Sequence, residues 1–541
     1  MKSIKLLLIT FLLSISFYAQ TPTDYLPAEF HIERRNILRS KMPKNSVAVV
    51  FANPIRNRAN DVDYVFHQDP DFYYLTGFKE PNAVLVLFSD NQTDDSGVVY
   101  NEIIYVPKKD PRAELWDGKR LGVEGAKKEL GFVIAKTAEE FTEQPIDFTK
   151  FHKVYIKKFE DDYRNSLNKF GETYDLVNSF KRNSDYKIAT LISEPKKKVY
   201  ELIKSTPIEN SANVAQVLGK VITYYPDLGE DELIQGYRNT TDVSKIKDIK
   251  QKASLKLNLK HNINTTFLSS KMAEMREIKT PIELKLLTKA IRISAVGQIE
   301  VMKAMKPHMS ETEIQGIHEF VYKKYGAEYE GYPSIVGAGN NGCILHYIEN
   351  NKTKVGHDLV LMDLGAEYRG YTADVTRTIP ANGKFNVEQK AIYELVLKAQ
   401  DEAIKVCKEG TMFWSPTQVA QKVINQGLAD LGIISSATEK HSYFPHGATH
   451  HIGLDVHDPG TYGELKENMV ITVEPGIYIP EGSKCDKKWW GIAVRIEDDI
   501  LITKGEPKNL SGEAPRTVEG IENMMKKKSV LDEFILPNLD E

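Results

Sequence analysis

Residues 358–380 read "DLVLMDLGAEYRGYTADVTRTIP": two strand-like runs meet at Arg369 and Gly370, and each carries an internal acid, Asp363 and Asp374. A two-residue turn at Arg369–Gly370 pairs Asp363 with Thr376 and sets Asp374 diagonally across, on the same face. Two carboxylates brought so close repel, and one pKa rises steeply unless a cation lies between them. The stretch therefore predicts a hairpin arranged around a cation, provided that other ligands exist.

Candidates lie downstream. "FPHGATHHIGLDVHDPG" holds His446, His450, His451 and His457 within twelve residues, in a chain with only 13 histidines. "MVITVEPGIYIP" ends a strand-like run with Glu474 before a Pro-Gly turn, and "GIAVRIEDDILI" sets Glu497 inside an apolar alternation. With Asp363 and Asp374 these residues offer four carboxylates on β elements and at least one imidazole. Such an oxygen-rich set with one nitrogen donor suits two divalent ions, manganese being a good match and zinc, cobalt or iron also compatible. A bridging carboxylate pair that holds two metals about 3.5–4 Å apart activates a shared water and polarises an acyl oxygen.

The rest of the chain frames this cluster. At 541 residues two domains are expected. The 41% hydrophobic and 27% charged content is that of a soluble globular protein, and the net charge of −4 gives no reason to expect nucleic acid or an acidic membrane as partner. Lys2 and Lys5 precede "LLLITFLLSISF", with the small Ala19 after it, so residues 1–19 read as a secretory signal peptide. The mature protein is then exported, periplasmic or secreted, with no membrane anchor once the signal is removed. Cys343, Cys407 and Cys485 are too few and too scattered for a disulfide scaffold and read as packing residues.

Residues 24–271 are expected to form an N-terminal domain. Up to about residue 155 the runs "SVAVVFA", "AVLVLF" and "NEIIYVP" alternate with helical patterns, an α/β arrangement. The stretch 156–270 is Lys- and Asn-rich with helical spacing, an enlarged insertion. A second domain, 272–541, starts where Thr280, Pro281 and Glu283 form a capping box ahead of a long amphipathic run. Its grouped helices and strands predict an α+β layer architecture.

The motifs together resemble aminopeptidase P, the Xaa-Pro aminopeptidase branch of the pita-bread metallopeptidases that also includes prolidase and methionine aminopeptidase. The resemblance rests on "SIVGAGNNGCILHYIEN", the opening stretch, "HGATHHIGLDVHD", "VITVEPGIYIP", "GIAVRIEDDILIT" and "NLSGEAPRTVEGIENMM", and in the first domain on "RRNILRSKM" and "HQDPDFYYLTGFKEPNAVLVLF". It implies a C-terminal pita-bread catalytic domain and a dinuclear site whose ligands are Asp363, Asp374, His450, Glu474 and Glu497, with Asp374 and Glu497 serving both ions. It further implies that His346, His446 and His457 bind substrate and stabilise the developing oxyanion, that Arg495 orients a ligand carboxylate, and that Glu474 moves the proton from water to the proline nitrogen. The implied substrates are peptides with proline in second position, and the implied assembly is a homodimer or homotetramer. Two departures stand out: His451 follows the metal-binding histidine where an aromatic or apolar residue is common, and Leu364 occupies a place where a small residue is frequent. The rival readings are a prolidase restricted to Xaa-Pro dipeptides and a catalytically inactive peptide-binding protein of the same fold.

Overall fold

The computed structural model describes residues 22–159, 171–190 and 192–534. The signal-peptide reading lies outside these residues. Among them no helix is long and apolar enough to cross a membrane.

The chain divides between Lys271 and Met272 into two compact units. In the first, residues 28–271, six strands form one mixed sheet in the order Ala135–Thr137, Val99–Val106, Val84–Thr93, Ser46–Phe51, Lys153–Tyr155, Ile263–Asn264. Alternate residues of the central strands, Val47 and Val49 opposite Val86 and Phe88, point into a core closed by Phe141, Phe148 and Phe180. That two-residue period is what a sheet with one face on a core requires. The Lys-rich stretch folds as helices Glu194–Ser205, Ser211–Tyr224, Glu232–Arg238 and Val243–Leu257 around a separate core of Val199, Tyr200, Ile203, Leu218, Tyr237 and Ile249.

The second unit comprises residues 272–534 and the extended segment 22–27. That segment is held by Asp24, which accepts from Arg369 Nε at 2.7 Å, and by Tyr25, which donates to Glu328 at 2.9 Å. The helix Pro281–Ala304 opens on the expected capping box: Thr280 N donates to Glu283 Oε2 at 2.8 Å, and Glu283 N to Thr280 Oγ1 at 3.5 Å. Its buried stripe, which includes Leu287, Ile291, Ser294, Gln298 and Val301, lies against the hairpin of the opening stretch.

That hairpin has the expected register, with Tyr368 paired to Tyr371 and Asp363 to Thr376. Arg369 and Gly370 form the turn with φ of 54° and 85°, the paired left-handed residues that a tight two-residue connection needs. Its two arms are not continuous strands, however. They break at Leu364–Gly365 and Ala373–Val375, so that Leu359–Asp363 and Thr376–Pro380 belong to one sheet and Ala366–Tyr368 and Tyr371–Thr372 to another. The helix takes over the backbone groups freed at the break: Gln298 Nε2 donates to the carbonyls of Met362 (3.1 Å) and Val375 (2.8 Å), and Ser294 Oγ accepts from Ala366 N at 2.9 Å. A buried carbonyl or N–H left unpaired costs free energy, so these side chains let the strand pair open where Asp374 must turn inward.

Candidate active site

Asp363 ends its strand, and Asp374 lies in the opened arm opposite. Both carboxylates reach one phenol: the Tyr332 hydroxyl is 2.5 Å from Oδ1 of each. Glu497 stands between strands Ile492–Arg495 and Asp498–Leu501, where its N donates to the Thr376 carbonyl at 3.1 Å and its Oε2 accepts from Thr376 Oγ1 at 2.6 Å. His450 is pinned by a backbone exchange with Thr472, whose Oγ1 accepts from His450 N at 3.1 Å. Its Nδ1 lies 3.0 Å from the His451 carbonyl, so Nδ1 carries the hydrogen and Nε2 turns its lone pair inward, 3.4 Å from Asp374 and 3.6 Å from Glu474. Ligand atoms of Asp374, His450 and Glu497 all lie within 4.8 Å of one another.

The charges here cannot stand alone. Burial together with the neighbouring Asp363 and Asp499 pushes Asp374 well above the usual carboxylate range, and burial with Asp374, Glu474 and Asp363 does the same to Glu497. Burial lifts Glu474 to about 6, against the pull of His450 and Arg495. Asp363 goes the other way: burial opposes its charge, but the Arg495 guanidinium holds it below its ordinary value. A buried group of four acids and one imidazole whose lone pair faces them fits a pair of divalent cations, which would supply the compensating charge.

Three more histidines border this cluster. His457 stands edge-on to His450, ring centroids 4.4 Å apart. His446 has Nδ1 at 2.7 Å from the Gly447 carbonyl, so that nitrogen donates, and burial holds the ring pKa down to about 4; its Nε2 therefore accepts from the Tyr478 hydroxyl at 2.8 Å. His346 is exposed, on a segment fastened by the buried Glu311, which accepts from Ala338 N (2.7 Å), Lys352 N (2.8 Å) and Tyr347 Oη (2.9 Å).

Two sequence families match the chain: "Aminopeptidase P, N-terminal domain" over residues 31–155 and "Metallopeptidase family M24" over residues 285–504. The Xaa-Pro aminopeptidase of Haemophilus influenzae is 34% identical over 515 residues, covering 92% of this chain and 98% of that protein. The chain belongs to the aminopeptidase P family. Human Xaa-Pro aminopeptidase 3 is 30% identical, with 94% of this chain and 88% of that protein covered. Among solved structures, Escherichia coli aminopeptidase P with the inhibitor Pro-Leu superposes with a TM-score of 0.70 at 30% identity, over 93% of this chain and 98% of that one. Pseudomonas aeruginosa aminopeptidase PepP gives the same TM-score and identity, over 93% and 99%.

In this member of the aminopeptidase P family Arg495 joins several parts of the site. It donates to Asp363 Oδ2 at 2.6 Å, to the Tyr478 hydroxyl at 2.9 Å and, through Nε, to Thr376 Oγ1 at 3.2 Å. Sequence reasoning missed several such supports. Tyr332, before a proline in "EGYPSIV", carries no charge to mark it, and Tyr478 stands among the apolar residues of "PGIYIP". Asp499 is one of three adjacent acids in "IEDDIL", and its Oδ2 accepts from Asp374 N at 3.2 Å while its Oδ1 is buried without a hydrogen-bond partner. A tyrosine in an apolar run becomes visible as a site residue only when its hydroxyl is seen to meet a carboxylate. His451, the unusual neighbour of His450, turns to the other side: it is fully buried and stacks on Phe413 with centroids 4.6 Å apart. An aromatic ring packed as core explains how the position tolerates histidine.

Proposed function

We infer that the protein is a Xaa-Pro aminopeptidase, a metallopeptidase that releases the N-terminal residue from peptides with proline in second position. The observation that carries this is the convergence of Asp374, His450 and Glu497, with Asp363 and Glu474 beside them, in a chain that matches the Haemophilus influenzae enzyme over 98% of that enzyme's length. The scissile bond is a tertiary amide without an N–H, so a protease that grips an extended backbone through that group handles it poorly.

Asp363, Asp374, His450, Glu474 and Glu497 would hold two divalent ions, for which manganese suits the donor set. When bound, such ions acidify water and polarise the scissile carbonyl. The chain's own groups do the rest. Glu474, lifted by burial to about 6, is poised to take a proton near neutrality and pass it to the departing proline nitrogen. His457 and His346 face the open side and bind the substrate. His446 stands neutral, and it can donate to a developing oxyanion only after its Nδ1–H turns from the Gly447 carbonyl. Arg495 keeps Asp363 ionised and aimed inward. The signal-like N-terminus supports an exported enzyme, periplasmic or secreted, and the family resemblance supports a homodimer or homotetramer.

The deciding assay compares a Xaa-Pro-Xaa tripeptide with a Xaa-Pro dipeptide on manganese-loaded enzyme. Rapid tripeptide cleavage is expected; cleavage of the dipeptide alone would make the protein a prolidase.

A further inference from the structure

His457 sits on a stretch, residues 452–463, that contains neither helix nor strand. Its ring is nonetheless held perpendicular to that of the metal-ligand histidine, 4.4 Å away. The next residue, Asp458, is 1% exposed and locked between two cations that are themselves buried: Lys279, 2% exposed, donates to its Oδ2 at 2.8 Å, and Arg276, 3% exposed, donates to its Oδ1. Arg276 also reaches Asp455 Oδ2 at 2.8 Å. Between the two cations, Glu277 accepts from Thr461 N (2.9 Å), Thr461 Oγ1 (2.7 Å) and Lys466 Nζ (2.9 Å). Three residues of the segment that precedes the long helix, Arg276, Glu277 and Lys279, thus hold both ends of the His457 stretch. Three cations, Arg276, Lys279 and Lys466, face three carboxylates, Asp455, Asp458 and Glu277.

We propose that Arg276 and Lys279 are positioning residues for His457, acting through Asp458. One general principle and two observations carry this. Buried ion pairs add little net stability compared with apolar packing, but each fixes the direction of its partners through charged hydrogen bonds, which a stretch without regular structure otherwise lacks. The Asp458 N–H donates to the His451 carbonyl at 2.9 Å, the same oxygen that accepts from His450 Nδ1, so the clamped aspartate shares an acceptor with the histidine that His457 faces. Room for the clamp is built in at Gly453, where an added Cβ would lie 2.5 Å from Asp458 Oδ2 and 2.9 Å from Lys279 Nζ. The segment 276–279 therefore does more than open the helix: it sets where a substrate-facing imidazole stands.

The inference rests on the aminopeptidase reading of the site, and two measurements separate them. Wild-type turnover of a Xaa-Pro-Xaa tripeptide tests the reading. Hydrogen–deuterium exchange tests the clamp whatever the activity: Lys279→Met should raise exchange in peptides from 451–463 and leave the core strands of the same unit unchanged. In kinetics Lys279→Met should lower kcat/KM roughly 10- to 100-fold, the usual effect of losing a group that orients a site residue. The double variant with His457→Ala should be no slower than His457→Ala alone to within about threefold. Should Lys279→Met fail to fold, Asp455→Asn, on the solvent side of the clamp, gives a smaller loss of the same non-additive kind. Losses that multiply with His457→Ala, or exchange that rises everywhere or nowhere, overturn the proposal.

Discussion

Arg495 donates to Asp363 at 2.6 Å, and this single ion pair separates the fates of two neighbouring acids. Asp363 stays ionised because the guanidinium faces it, whereas Asp374, without such a partner, is pushed well above its ordinary range by burial and by Asp363 and Asp499. The Tyr332 phenol, itself held protonated by burial, has one hydrogen for two carboxylates. It can donate to only one of them at a time, and cations between the two carboxylates would supply the positive charge that the shared hydrogen does not.

Arg495→Met should therefore weaken divalent-metal binding about 10- to 100-fold and lower kcat/KM in proportion, because Asp363 loses the charge that keeps it a ligand. Arg495→Lys should recover only part, since an ammonium cannot hold Asp363, Thr376 and Tyr478 together. Calorimetric metal titration of the stripped enzyme measures this, and affinity within threefold of wild type would refute it.

Tyr332→Phe removes the hydroxyl that reconciles Asp363 with Asp374. The metal-stripped protein should lose about 1–3 kcal/mol of stability, the cost of leaving buried acceptors unpaired, and the metal-loaded form should lose less. Denaturant unfolding with and without chelator compares the two; an equal loss in both forms contradicts the argument.

Metal binding should release protons, with affinity rising as pH rises. Asp374 and Glu497 are raised well above their ordinary values and Glu474 from 4.5 to about 6. An acid whose folded pKa is raised binds more protons folded than unfolded, so its contribution to stability declines as pH climbs from the unfolded value through the folded one. For Glu474 that window runs from 4.5 to about 6, and Asp374 and Glu497 extend it upward. The stripped protein should lose thermal stability across it and added manganese should restore stability. Titrations at pH 6 in buffers of different ionisation enthalpy count the protons, and finding none released would exclude this account.

Glu474→Gln keeps the shape of the side chain but cannot take a proton. Tripeptide turnover should fall at least about a thousandfold, toward the upper range for loss of a general base, if Glu474 has the role proposed for it. Metal content by atomic emission should fall as well. Near-normal rates would remove Glu474 from proton transfer.

Part of this cluster could be read from the chain because its acids are placed by local signals. Asp363 and Asp374 are linked by a two-residue turn, so register alone brings them to one face, and the Thr280–Glu283 capping box is written in four consecutive residues. The break in the hairpin was not legible, since it depends on Gln298 and Ser294, more than 60 residues away, taking up backbone groups that no pattern in the opening stretch leaves unpaired.

The linear chain by itself determined the hairpin register and the capping box, because turn geometry and capping are properties of neighbouring residues. Tertiary structure alone decided which acid keeps its charge, which tyrosines join the site and that the 276–279 segment holds Asp458 beside His457. The reason is that desolvation and hydrogen-bond direction act between groups more than a hundred positions apart in the chain, as Arg495 and Asp363 are, and exist only once folding has brought those groups together and removed the water between them.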